Sequence, residues 1–290
     1  MSSSWAEPAL SVVIGSTGRA KSLEACLAAL EPQREGIEVL VCEAEASSPG
    51  LRERFAWAQF HVRAGELVPE LWSDGISRSQ GRAIALTIGQ MIPASNWIET
   101  LRTELSRREV VGGAIDPGPD LRLTDWAEYF CRYVRDMLPF HGHECLDLPG
   151  DNAAYRREAL ERTEELFREG FWEPVVHRKL AADGAMLWHS PDLIVRQGRS
   201  AGWSAFARQR LVHGRAHGRQ RSARFGTARI LAGIVGAPLV PPLLSMRILR
   251  EVMGKRRYRV RALLALPMIV SFNVAWAIGE ARGHVDALRG

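Results

Sequence analysis

Three neighbouring residues, His141, His143 and Glu144, combine imidazole and carboxylate groups, the side chains that bind zinc and related metals. They have no further partner at a matching spacing and fall in a predicted loop, so we predict no metal site from them. The four cysteines form no Cys-x-x-Cys pair. Their spacing therefore indicates neither a zinc site nor a disulfide framework, and it fits a reducing cytoplasm.

Two other segments have the residue types needed to hold phosphate. A glycine-flanked loop, residues 15–18, follows the first predicted strand. It would let a nucleotide approach the backbone closely, although a turn that needs a permissive backbone gives the same pattern. Arg208, Arg210 and Arg215 lie close together in the chain. They could neutralise phosphate charge, form a solvated helix face or contact lipid phosphates.

Strands and helices alternate along the part of the chain that would position these residues. Short apolar runs predict strands at 10–15, 37–42, 60–63, 82–87, 110–115, 185–188 and 193–195. Helical spacing predicts helices at 22–30, 97–105, 124–138, 158–167 and 174–183. This alternation predicts an α/β fold with a doubly wound, mostly parallel sheet, whose ligand crevice lies at the carboxyl ends of the strands.

The charge of the chain is unevenly distributed. From Arg199 onward there are 17 basic and three acidic residues, a net charge of +14; since the whole chain is +5, the remainder is −9. An anionic surface, either membrane or nucleic acid, is therefore the expected partner of the C-terminal part. Nucleic acid is disfavoured, because the tail has uncharged apolar runs and few interleaved aromatic residues.

The C-terminal tail has two uncharged runs, 230–246 and 262–279, separated by a basic segment. Neither run reaches the ~20 residues of a comfortable membrane span. Four prolines are expected to break or kink these helices: Pro238, Pro241, Pro242 and Pro267. A span would also put the basic segment outside the cytoplasm, against the positive-inside tendency. We therefore predict interfacial or re-entrant helices rather than two spans.

These features predict two domains, an α/β domain at 1–222 and basic, apolar, membrane-associated helices at 223–290. Residues 1–10 contain no apolar run of signal-peptide length. The α/β domain is therefore expected at the cytoplasmic face of the cell (inner) membrane.

The order of these signals resembles family-2 glycosyltransferases with the GT-A fold, of the bacterial membrane-associated type, over nearly the whole chain. In that family a donor-binding turn follows the first strand, where this chain has residues 15–19. The family's nucleobase-reading Asp corresponds to Glu43, and its Arg-Asn-x-Gly stretch corresponds to residues 72–75. The resemblance implies donor-binding roles for Gly15, Ser16, Thr17, Arg19, Glu43, Asp74, Gln90, Arg208 and Arg210.

The metal-binding motif of that family is altered in this sequence. Its Asp-x-Asp corresponds to Ile88-Gly89-Gln90, and its later metal-binding His corresponds to Gln197. Pro93 and Trp97 follow Ile88-Gly89-Gln90 at the spacing that the family has after its Asp-x-Asp motif. The resemblance thus leaves a divalent cation, Mg²⁺ or Mn²⁺, without its usual protein ligands, and we assign no metal-ligating residue.

The resemblance also implies the catalytic and acceptor residues. Residues 148–157 resemble an acceptor-side stretch, which implies acceptor-binding roles for Asp151 and Asn152, with Trp172 beside them. Residues 171–180 resemble the segment with the catalytic carboxylate, which corresponds to Glu173. The same residues also fit purely structural roles. Glu173 could be a solvated carboxylate whose charge interacts favourably with the helix dipole at a helix N-terminus, Trp172 could pack in the core, and Glu43 could be an ordinary carboxylate at the end of a strand.

The function implied by the resemblance is a glycosyltransferase of the hexosyltransferase class in cell-envelope glycan biosynthesis. It would move a sugar, with inversion, from a nucleotide-sugar donor to a lipid or lipid-linked polysaccharide or glycolipid acceptor at an anionic membrane surface. The loss of the metal motif also fits a catalytically inactive GT-A-like scaffold protein bound to the membrane. Nucleotide binding distinguishes these two hypotheses.

Overall fold

The computed structural model describes residues 9–18, 20–199, 202–223 and 226–289. The chain divides into two compact units. The first contains the residues up to Gly118 together with Asp136–Gly198, and the second contains Pro119–Arg135 together with the residues from Arg199 on.

Nine strands and eleven α-helices are formed by the described residues. The strands are β1 Leu10–Ser16, β2 Ile37–Glu43, β3 Gln59–Val62, β4 Ala83–Ile88, β5 Met91–Pro93, β6 Val110–Pro117, β7 His143–Cys145, β8 Asn152–Arg156 and β9 Leu187–Gln197. The helices are α1 Ala20–Leu30, α2 Pro49–Arg54, α3 Val68–Arg78, α4 Trp97–Arg107, α5 Leu123–Tyr133, α6 Arg157–Glu161, α7 Glu173–Ala182, α8 Trp203–Ser222, α9 Thr227–Gly236, α10 Val240–Lys255 and α11 Arg259–Arg289.

All nine strands form one sheet in the first unit, in the order β3-β2-β1-β4-β8-β6-β9-β5, with β7 paired to β9. The strands β1, β2, β3, β4, β6 and β9 run in one direction, and β5, β7 and β8 run in the other. Every residue of β1 and β4 is buried, as expected for strands covered on both faces. The predicted α/β fold with a mostly parallel sheet is confirmed.

Several elements differ from the sequence-based expectation. The two predicted closing strands form the single strand β9, whose register against β6 shifts between Gly113 and Ala114. The helix predicted at 124–138 ends at Tyr133, and the one predicted at 158–167 is α6 followed by a 3-10 turn at Glu164–Leu166. The strand β8 was not predicted, because its two alanines have little strand preference. It forms because β4 and β6 supply hydrogen-bonding partners on both sides.

The second unit contains α5 and the helices α8 to α11. Its helices α8 and α11 pack through glycines on both sides, Gly214 and Gly218 against Gly279 and Gly283. A Cβ added to any of them would collide with a backbone carbonyl of the facing helix. Small residues spaced four apart allow this close backbone approach. This contact places α8 in the same compact unit as the C-terminal helices, whereas the predicted domain boundary at residue 222 assigns α8 to the first domain. The predicted division into a catalytic and a membrane-associated domain stays a prediction.

The prolines of the tail have different effects. Pro238 lies in the 3-10 turn Ala237–Leu239 between α9 and α10, which is a break of the expected kind. Pro241 and Pro242 lie in the first turn of α10, where proline is accommodated because those N–H groups have no intrahelical partner. The helix α11 continues through Pro267, so a break is absent at that position, and a kink there stays a prediction.

Two stretches, Thr227–Lys255 and Arg259–Arg289, are long and apolar enough to cross a membrane by length and composition alone. Only 11% of the apolar window of the first and 39% of that of the second are buried within the protein. Much of their apolar surface is therefore exposed. The sequence-based estimate of apolar length was shorter, because it stopped at the flanking charges that these helices include.

Candidate functional site

The carboxyl ends of β1 and β2 border a small cavity of about 120 Å³ in the first unit. Ser16 and Gly18 line it from the β1 side, and Glu43 and the loop residues that follow it line the other side. Because adjacent parallel strands bring their carboxyl ends to one edge, residues distant in sequence meet there. This is the edge at which the sequence predicted the crevice.

Glu43 is the buried carboxylate of this cavity. Its side chain is 1% exposed, and it accepts hydrogen bonds from Nη2 of Arg52 at 2.7 Å and from the backbone N–H of Ser47 at 3.1 Å. The charge of Arg52 balances that of the carboxylate, which offsets the free-energy cost of burying it. Glu43 therefore holds the loop between β2 and α2 in place around the cavity.

The loop after β1 approaches its neighbours closely. Gly18 has a φ of +86°, a backbone conformation that favours glycine, and a Cβ there would lie 2.6 Å from Oε2 of Glu45, whose side chain would have to move. Ser16 is buried and Thr17 is exposed. A Cβ on Gly15 would lie 3.2 Å from Cγ1 of Val68. The predicted donor residue Arg19 lies outside the described residues.

Asp74 lies on α3 and lines a different, charged cavity of about 710 Å³. Its carboxylate accepts a hydrogen bond from Nε of Arg78 at 2.8 Å, and Nη1 of Arg63 lies 3.8 Å away. Burial, with a smaller contribution from Asp74, raises the pKa of the Cys42 thiol to about 12. Cys42 is therefore a neutral thiol at physiological pH.

Gln90 lies in the turn between β4 and β5, beside the end of β9 at which Gln197 is found. Met91 pairs with Gln197 across β5 and β9, and the N–H of Gly198 donates to the carbonyl oxygen of Gln90 at 2.7 Å. The side chain of Gln197 is 1% exposed, and among the described residues neither its Oε1 nor its Nε2 has a hydrogen-bond partner. An unsatisfied buried polar group destabilises a fold by roughly 1–3 kcal/mol. The donor-binding role of Gln90 stays a prediction.

These residues do not fit a dedicated site for Mg²⁺ or Mn²⁺. Such hard cations take carboxylate oxygens, whereas Ile88, Gly89, Gln90 and Gln197 provide no carboxylate. Within the ranges that the structure describes, no group of three or more His, Cys, Asp or Glu side chains could hold a metal ion. His143 contacts the carbonyl oxygen of His141 through Nδ1 at 2.8 Å and packs against Phe140.

Glu173 is the first residue of α7, and its side chain packs against Gly150, where any added Cβ would collide with it. Asp151, which follows Gly150 in the chain, is 7% exposed. Its carbonyl oxygen accepts a hydrogen bond from Oγ1 of Thr87, near the carboxyl end of β4, at 2.9 Å. Glu173 thus contacts the segment Gly150–Asp151, which is hydrogen-bonded to the carboxyl end of β4. Because β4 is parallel to β1, this end lies on the same edge of the sheet as the cavity at β1 and β2.

The other two predicted acceptor residues have different surroundings. Asn152 is fully buried: its Nδ2 donates to the carbonyl oxygens of Ala114 and Leu193, and its Oδ1 accepts from Nε1 of Trp97. Its amide therefore ties β6, β9 and α4 together, and its acceptor-binding role stays a prediction. Trp172 is 37% exposed, which makes it accessible to a ligand as well as a packing residue.

A hydrogen-bonded chain near Glu173, which runs from the buried Tyr155 and His177 to the exposed Asp147, was not predicted from the sequence. Oη of Tyr155 lies 2.7 Å from Nε2 of His177, and Nδ1 of His177 lies 2.7 Å from Oδ1 of Asp147. Burial, followed by the negative charges of Glu173 and Asp147, raises the pKa of Tyr155 well above its ordinary value. No local pattern predicts these contacts, because each joins separate elements.

Arg208 and Arg210 lie on α8 in the second unit. The guanidinium of Arg210 stacks 4.3 Å from the centre of the Trp276 ring and donates to Oδ1 of Asn273 at 3.3 Å. Burial lowers the pKa of Arg210. Arg208 is exposed. The donor-binding roles of both arginines stay predictions.

The sheet order and its strand-end crevice define a GT-A-like α/β fold. No family model matches the chain, and no curated protein matches it. Among solved structures it is similar to mannosyltransferase PcManGT from Pyrobaculum calidifontis, determined in complex with GDP-Man and Mn²⁺. The TM-score is 0.55 at 17% identity, over 96% of this chain and 89% of that one. At this identity the likeness concerns the fold.

Proposed function

We propose that the protein is a glycosyltransferase that uses a nucleotide-sugar donor. The observation that supports this most directly is the proximity of Glu173 to the segment hydrogen-bonded to the end of β4, within a GT-A-like fold. The similar mannosyltransferase was solved with GDP-Man. In this proposal the nucleotide part of the donor binds at the cavity beside Ser16, Gly18 and Glu43.

In the proposed reaction, Glu173 accepts the proton of the acceptor hydroxyl as that oxygen attacks the anomeric carbon of the sugar. The bond from this carbon to the diphosphate oxygen breaks, and the nucleoside diphosphate leaves with the bonding electrons. Attack opposite the leaving group inverts the anomeric centre. A carboxylate in such a position typically contributes 10²–10⁴-fold to the rate.

The diphosphate gains charge as it leaves and requires compensation. We propose that an arginine provides it, with Arg19, which follows the loop of the first-unit cavity in the sequence, as the candidate. We also propose that the amides of Gln90 and Gln197 donate hydrogen bonds to the donor. The missing carboxylates support this, since the positions of the altered motif, Ile88-Gly89-Gln90 and Gln197, would contribute no charged ligand to a divalent cation. Donor binding should therefore depend little on Mn²⁺ or Mg²⁺.

We further propose a lipid or lipid-linked acceptor at the cytoplasmic face of a membrane. The support is the exposed apolar surface of Thr227–Lys255 and Arg259–Arg289, together with the net charge of +14 from Arg199 onward. Basic residues beside apolar helices favour an anionic membrane surface.

Titration calorimetry with UDP and GDP, in EDTA and in Mn²⁺, tests the proposal. We expect one of the two nucleotides to bind in both conditions, and the full-length protein in membranes to transfer sugar from the corresponding donor. The replacement of the metal motif at Ile88, Gly89 and Gln90 favours a second function, that of an inactive membrane-bound scaffold. The absence of binding for both nucleotides in both conditions would support the scaffold and refute the transferase.

A further inference from the structure

The second unit contains a groove of about 810 Å³ between α11 on one side and the α9–α10 region on the other. Its α11 wall is formed by residues at helical spacing, from Val274 through Ile278 and Ala281 to Val285. Ile234, Pro238 and Pro241 line the opposite wall. The volume lies within the roughly 300–1,000 Å³ of typical ligand sites.

Charged residues collect at one end of this groove, near the C-terminus of α11. Arg215 donates to Asp286 through Nε at 2.6 Å and through Nη2 at 3.1 Å. Arg282 and Arg289 also line the groove and are exposed, and neither has an ion pair among the described residues. Three arginines therefore face one carboxylate, which leaves a net charge of +2 at this end.

An apolar channel that ends in an excess of arginines over carboxylates matches an amphiphile with a hydrocarbon chain and an anionic head. Guanidinium groups bind phosphate oxygens with paired, charge-assisted hydrogen bonds, which makes phosphate the fitting head group. The surrounding surface supports a lipid source, because exposed apolar side chains on α9 and α10, such as Val235 and Leu243, would meet the same hydrocarbon phase.

We propose that this groove binds one anionic membrane lipid, with its chain along the Val274–Val285 face of α11 and its phosphate between Arg282 and Arg289. Such a site would retain a single lipid in addition to the general attraction of the basic tail to anionic membranes. The inference does not depend on the proposed transferase activity.

The test uses the full-length protein in detergent with phosphatidic acid, phosphatidylcholine and inorganic phosphate as probes, with native mass spectrometry counting retained lipids. We expect one retained phosphatidic acid and a preference of at least about tenfold over phosphatidylcholine. Both lipids have a phosphate, but that of phosphatidic acid carries a net negative charge and an open face for the guanidinium groups, whereas that of phosphatidylcholine is esterified to a choline cation. The double variant Arg282→Gln/Arg289→Gln should lose this preference. Arg247→Gln/Arg250→Gln removes the same charge from exposed positions of α10 that do not line the groove, and it should keep the preference.

A second measurement locates the chain of the lipid. A phosphatidic acid with a photoreactive group in its acyl chain should crosslink to the groove face of α11, and Ala281→Trp, which fills the groove, should reduce this crosslinking severalfold. Equal loss of preference in both double variants, crosslinks confined to the outer surface around Val235, or equal binding of inorganic phosphate would overturn the proposal. So would a dimer that closes the groove and excludes lipid, as measured by light scattering.

Discussion

Oη of Tyr155 on β8 lies 2.7 Å from Nε2 of His177 on α7. Both side chains are fully buried, and α7 begins at Glu173. The contact therefore fixes the helix that presents the candidate base against the strand that follows Asp151. Asp147 extends the chain on the other ring nitrogen of His177.

Tyr155→Phe should lower the free energy of unfolding by about 1–3 kcal/mol, because it leaves a buried ring nitrogen of His177 without its partner. Urea denaturation measures the change. Thr100→Ala, which removes an exposed hydrogen bond at the start of α4, is the comparison and should cost well under about 1 kcal/mol. Equal losses in the two variants would mean that the buried contact adds nothing.

Glu173→Gln should lower the rate of sugar transfer by about 10²–10⁴-fold while nucleotide affinity stays within about twofold, because only the proton acceptor is lost. Transfer of a radiolabelled sugar, together with calorimetry, separates the two effects. Glu165→Gln changes an exposed glutamate in the same region and should leave both unchanged. A Glu173→Gln variant with full activity would remove this residue from the mechanism.

Nucleotide affinity should change less than about threefold between EDTA and Mn²⁺, since the protein offers no carboxylate at Ile88, Gly89 or Gln90. The double variant Gln90→Asp/Gln197→His restores the ligand types of the resembled family at two positions that the pairing of Met91 with Gln197 and the hydrogen bond from Gly198 to Gln90 bring close together. It should acquire a Mn²⁺-dependent gain in affinity. A strong Mn²⁺ requirement in the unaltered protein would contradict our account of donor binding.

Gly279→Ala should destabilise the second unit by about 1–3 kcal/mol or more, because its Cβ would collide with the carbonyl oxygen of Leu211 on α8. The matched change Gly254→Ala lies in α10 with open space around it. Alanine is the better helix former, so that variant should be more stable by up to about 1 kcal/mol. Thermal unfolding in detergent compares the pair, and changes of the same sign would contradict the packing argument.

The sequence by itself determined the α/β alternation. The runs that became β1, β2, β4 and β6 are apolar and rich in β-branched residues, and such strands can be read locally because both of their faces are buried. It also supplied the uneven charge and the apolar tail, which are properties of composition. That Gln90 and Gln197 correspond to two metal-binding positions of family-2 glycosyltransferases was inferred from the resemblance of this sequence to that family.

Only the tertiary structure decided which residues meet. The pairing of β5 with β9 places Met91 opposite Gln197 and so brings the preceding residue, Gln90, near Gln197. The packing of α7 on β8 joins His177 to Tyr155. The Ala-containing strand β8 and the continuous helix through Pro267 also depend on contacts with other elements. Local sequence patterns record the preference of a segment for helix or strand, whereas these arrangements are stabilised by partners distant in the chain, whose contribution no local pattern contains.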